Sequence, residues 1–139
     1  MEPEIVLAKL ESLSRCISRI EEKHPQSIEI LKSDYDLQDI IVLNLERMVQ
    51  LAVDAGLHIL ADYPRSRPSS MVDVFSEMAA INIIDEQNAQ NLIMAVGFRN
   101  IAVHEYCSLD WTIVWSILEN RLSDFKVFSR SVLNLLEKP

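Results

Sequence analysis

Arg99, Asn100, His104 and Tyr106 fall within eight residues of one another, two positions after Gly97. An imidazole titrates near neutrality, at about pH 6.5, so His104 can take the proton of a ribose 2′-hydroxyl or return one to a leaving 5′-oxygen. The guanidinium of Arg99 offers a fixed fork of donors to the non-bridging phosphate oxygens, where negative charge grows in the transition state. The chemistry within reach is therefore phosphodiester cleavage. RNA carries its own nucleophile, so the step needs no metal and no cofactor, and it leaves a 2′,3′-cyclic phosphate and a 5′-hydroxyl. Arg99 and His104 are the candidate catalytic pair. Five residues along an ideal helix is a turn of about 140°, which points them apart. They converge if the helix breaks or kinks between them, or if two subunits bring their copies together. A symmetric dimer facing two sites across one cleft would also provide a second histidine. Residues 99 and 106, seven apart, fall on nearly the same face, so arginine and tyrosine can be neighbours on a continuous helix.

These side chains need helices to position them, and the pattern supplies helices throughout. Val6, Leu10, Leu13, Ile17 and Ile20 alternate steps of four and three, predicting a first helix over Glu4 to Lys23. His24-Pro25 ends it. A short helical piece over Gln26 to Lys32 leads to a long helix over Leu37 to Tyr63, capped by Asp34 or Asp36. Gly56 lies inside that apolar pattern at a cost of about 1 kcal/mol relative to alanine, which a close helix crossing would explain. The loop from Tyr63 to Ser70 is the most basic local stretch, and Arg65 and Arg67 within it either contact RNA or solvate the loop. A helix over Met71 to Ala80 follows. Asp85 then caps a helix carrying Ala89, Leu92, Ile93 and Val96, which Gly97 is placed to end or bend. Trp111, Val114, Leu118, Leu122, Phe125, Phe128, Val132 and Leu136 predict a final helix over Leu109 to Leu136, capped by Ser108 or Asp110. The fold class is all-α, an up-down helical bundle in one domain, residues 1–139.

Composition narrows the rest. Glycine occurs twice, and no proline falls between Ser69 and Lys138, so the recurrent turns of an all-β protein are missing. The net charge of −8 opposes passive binding to nucleic acid, so any RNA contact must use a local basic patch on an acidic surface. Cys16 and Cys107 have neither metal-ligand spacing nor the number for a disulfide framework, which suits a reduced, cytoplasmic setting. No signal-peptide pattern opens the chain, and no apolar run approaches the roughly 18 residues of a membrane span. His24 and His58 read as structural or surface residues, and Cys107 has no second histidine nearby in sequence to activate it. Trp111 and Trp115 read as core or dimer contacts before base-stacking groups.

The string Gly97-Phe98-Arg99-Asn100, followed by His104-Glu105-Tyr106 in an all-helical chain of this length, resembles the signature of HepT-type toxins of the HEPN superfamily of helical ribonucleases. The resemblance spans most of the chain. It implies that Arg99 and His104 are catalytic and that Asn100 orients them or the phosphate. It further implies a homodimer whose motifs line a shared cleft. Its remaining implication is a minimal nucleotidyltransferase antitoxin that inactivates the toxin by transferring AMP from ATP to Tyr106. The acidic surface also admits another reading, a non-catalytic helical dimer that serves as binding partner of a nucleotidyltransferase.

Overall fold

A computed structural model describes residues 1–138. Seven α-helices account for most of them: α1 (Pro3–Glu22), α2 (Ile28–Ser33), α3 (Tyr35–Leu60), α4 (Met71–Ala80), α5 (Glu86–His104), α6 (Trp111–Asn120) and α7 (Leu122–Glu137). A 3₁₀ turn, Tyr106–Ser108, joins α5 to α6. Among the described residues there is no strand, and no helix is long and apolar enough to cross a membrane.

The starts of the helices follow side-chain capping. Ser27, Asp34, Ser70, Asp85 and Asp110 each accept a backbone N–H from the first turn they precede, which satisfies donors that have no partner inside the helix. Asp34, not Asp36, caps α3, and Asp110, not Ser108, caps α6.

The long helix α3 is the axis of the molecule. Ile41, Leu45, Met48, Ala52, Ala55 and Ile59 are buried along it, and α1, α4 and α5 pack around it. Helix α1 runs antiparallel to it: the N-terminal amine meets Asp62 at 2.6 Å, and Lys9 meets Asp54 at 3.7 Å. The apolar stripe expected of α1, Val6 to Ile20, is buried in full. At Gly56 the expected crossing is present: a Cβ there would lie 2.5 Å from Val74 Cγ1 and 2.9 Å from Met78 Sδ, so α4 sits directly on this position.

Two expectations fail. Gly97 does not end its helix; α5 continues through it to His104. Leu92, Val96 and Ala102, buried on either side of it, hold the helix in place through their packing, which outweighs one unfavourable propensity. The final helix is two helices, meeting at Arg121. Here α6 lies against α2 while α7 turns to pack on α1 and α5, so tertiary contacts bend a chain whose local pattern is continuous. Asn88 Nδ2 donates to the backbone oxygen of Asp124 at 2.9 Å, and Asn91 Nδ2 donates to its carboxylate at 3.0 Å, which fixes α7 on α5 just past the joint.

Candidate active site

Helix α5 buries Asn88, Ala89, Leu92, Val96 and Ala102, and Arg99 falls on that inward stripe. Its guanidinium therefore reaches α3, where one terminal nitrogen donates to Gln50 Oε1 at 3.5 Å. Gln50 is itself held: its amide nitrogen donates to Asp54 Oδ1 at 2.9 Å, and Asp54 pairs with Lys9. This leaves the amide oxygen of Gln50 directed at the arginine. Arg99 Nε is buried and has no partner among the described residues. The arginine is thus anchored at one point with donor capacity remaining, an arrangement suited to an anion.

His104 is the last residue of α5 and is exposed, as is Asn100. No break separates Arg99 from His104, so within one chain the two residues keep the roughly 140° divergence of an ideal helix. Of the two routes to convergence, a break in the helix is absent.

Tyr106 departs from expectation. The helix stops at His104, and the 3₁₀ turn swings the tyrosine over to the N-terminal part of α3, where its hydroxyl donates to Asp39 Oδ1 at 2.7 Å. Asp39 and Gln50 are eleven residues apart on α3, about 16 Å along its axis. Tyr106 and Arg99 are therefore not neighbours; the continuous helix on which they would have stacked ends too early. Trp111 meets the tyrosine ring edge-on, with centroids 6.1 Å apart. Although Tyr106 is 37% exposed, partial withdrawal of its hydroxyl from water raises the phenol well above its usual range, and the hydrogen bond and charge of Asp39 add to this. The hydroxyl stays protonated and points at a carboxylate able to receive its proton.

A profile of the Ribonuclease HepT-like family matches residues 13–132, nearly the whole chain. The chain belongs to this family. The mRNA nuclease HepT of Shewanella oneidensis is 35% identical over 125 residues, covering 90% of this chain and 93% of that protein. The tRNA nuclease HepT of Aphanizomenon flos-aquae is 24% identical over 136 residues, covering 98% and 92%. The solved structure of a tri-AMPylated Shewanella oneidensis HEPN toxin in complex with MNT antitoxin superposes with a TM-score of 0.89 at 34% identity, over 96% of this chain and 99% of that one.

The other candidates in this HepT-like chain fall away from the site. Arg65 and Arg67 are exposed in the loop after α3, a helix that ends ten residues beyond Gln50, about 15 Å further along the axis. The backbone of Arg67 is tied to Glu77 of α4 at 3.0 Å. His24 stacks edge-on against Trp115 and pairs with Glu119 at 3.3 Å, a structural role. Cys16 is buried and Cys107 exposed, both as free thiols. Among the described residues no cluster of His, Cys, Asp or Glu could hold a metal ion. Asp39 and Gln50 were not identifiable from the sequence, because they lie 67 and 49 positions from the residues they hold.

Proposed function

We propose that this chain is the toxin of a toxin–antitoxin pair, an endoribonuclease that acts without metal in the cytoplasm, with His104 and Arg99 as its working residues. The observation that carries the reading is the Arg99–Tyr106 string at the end of α5 in a chain of the HepT-like family. His104, exposed, moves the proton between the 2′-hydroxyl and the 5′-oxygen. Arg99, held by Gln50, stabilises the charge on the phosphate, and the exposed Asn100 orients it.

Since one chain points Arg99 and His104 apart, the site is built from two copies, with the arginine of one facing the histidine of the other. An apolar groove of about 480 Å³ beside the motif supports this arrangement. Met94, Ile101 and Ile113 line it and are 61%, 46% and 55% exposed, a surface suited to a second copy of the same helix.

A nucleotidyltransferase antitoxin silences the site at Tyr106. The tyrosine oxygen attacks the α-phosphorus of ATP, the bond to the β-phosphate oxygen breaks, pyrophosphate leaves, and the phenolic proton passes to Asp39. The added phosphate sits two residues from His104 and repels an incoming RNA strand. Purified protein should cleave single-stranded RNA in EDTA, and His104→Ala should abolish cleavage with an unchanged helical circular dichroism spectrum. Cleavage by His104→Ala at the wild-type rate would refute the assignment. If the chain were only a binding partner, its expression without an antitoxin would leave growth unaffected; arrest that Arg99→Ala relieves is the expected result.

A further inference from the structure

An open groove of about 630 Å³ runs between α1 and α3. Arg15 and Arg19 of α1 and Arg47 of α3 line it, and Gln50, the residue that holds Arg99, lies on its wall. Three of the eight arginines of a chain with net charge −8 thus gather in one groove. All three are exposed. Arg19 pairs loosely with Glu22 at 3.4 Å, and Arg15 donates only to the hydroxyl of Ser12 at 3.0 Å. Among the described residues neither Arg15 nor Arg47 meets a carboxylate. Both guanidiniums bear on the buried thiol of Cys16 in the groove, each favouring its ionised form against the larger opposing effect of burial, so the two cations converge on one place. In a chain with 21 acidic side chains, two guanidiniums that share a groove and meet no carboxylate repel each other, and an anion between them would relieve that repulsion.

We infer that this groove carries the phosphodiester backbone of the RNA strand beside the cut, with Arg15 and Arg47 neutralising phosphates that flank the one held by Arg99. The inference rests on the ribonuclease reading above and adds a binding track to it. Gln50 links the two: it lines the groove, and its amide oxygen holds the arginine assigned to the scissile phosphate. The track also explains how a chain of net charge −8 takes a polyanion, since the cations it needs are concentrated along one path.

The test is fluorescence anisotropy of a short fluorescein-labelled oligouridylate over a series of KCl concentrations, in the His104→Ala background so that the strand stays intact. Arg15→Ala/Arg47→Ala is expected to weaken binding at low salt by about tenfold or more. It should also lower the slope of log K against log salt by about 1.4, two contacts at roughly 0.7 per single-strand phosphate. Arg15→Lys/Arg47→Lys should keep most of that slope. Binding by the alanine variant with the parent's affinity and slope overturns the groove, and leaves the ribonuclease reading intact if the wild-type protein cuts RNA. The groove is also overturned if the alanine variant binds RNA normally but no longer binds the antitoxin, because its occupant is then an acidic protein surface. A wild-type protein that neither binds nor cuts RNA removes both readings together.

Discussion

At the residue scale, two positions of α3 hold the motif's side chains, one near its N-terminus and one near its middle. Gln50 fixes the guanidinium of Arg99, and Asp39 fixes the hydroxyl of Tyr106. If Arg99 has the proposed role, Arg99→Ala removes charge stabilisation in the transition state, and kcat for RNA cleavage should fall by about 10²–10³ with little change in helicity. Tyr106→Phe should abolish AMP incorporation when ATP, magnesium and the antitoxin are supplied, as read by intact-mass spectrometry. Asp39→Asn should slow incorporation by about 10²-fold or more, because an amide can still accept the hydrogen bond but cannot keep the proton. Equal AMP incorporation by Asp39→Asn and wild type would remove Asp39 from the transfer step. The four motif residues were legible in the sequence because they are local. Their partners on α3 were not, since nothing in a single sequence links positions 39 and 106 or 50 and 99.

At the element scale, the two glycines of the chain behave oppositely although both lie inside helices. Gly56→Ala gains helix propensity but pushes a methyl into Val74 and Met78, both buried, so it should destabilise the protein by about 1–3 kcal/mol in urea denaturation. Gly97→Ala meets nothing within 4 Å and should stabilise the chain by up to about 1 kcal/mol. The sequence signalled the first correctly, as a crossing. It misled at the second, because a glycine late in a helix reads as a terminus and only packing shows that the helix goes on. The joint at Arg121 left no sign either, as the apolar spacing runs through it unbroken. Just past that joint, burial favours the neutral acid of Asp124 and raises its pKa, with Asn91 and Arg121 opposing in part. Folded Asp124 therefore binds its proton at higher pH than unfolded Asp124 does. Its charge costs stability above that window, and the cost disappears as pH falls through it. Asp124→Asn keeps an oxygen for Asn91, so its melting temperature at pH 7 should equal or exceed that of wild type. The difference should shrink towards zero as the pH approaches 3.8, the ordinary value for the group.

At the scale of the whole molecule, the bundle places arginine and histidine at the same end of α5 and on different sides of it. On the proposed roles, catalysis by this pair requires a second copy. The all-helical class, the order of the helices and most of the core were legible from periodicity, because one amphipathic stripe per helix is enough to fix them. Assembly was not, because the exposed apolar residues beside the motif look the same in sequence as core residues of α5 and α6. Sedimentation should find a dimer that Ile113→Glu dissociates, and that variant should lose RNA cleavage while keeping its helicity. The most direct measurement is RNA cleavage by a purified mixed dimer, one subunit carrying Arg99→Ala and the other His104→Ala, co-expressed with different tags. Each variant alone should be inactive, and the mixed dimer should recover about half of the wild-type rate, since one of its two composite sites retains both groups. A mixed dimer as inactive as its parents would contradict a site shared between two copies, and cleavage by either single variant would contradict the roles given to Arg99 and His104.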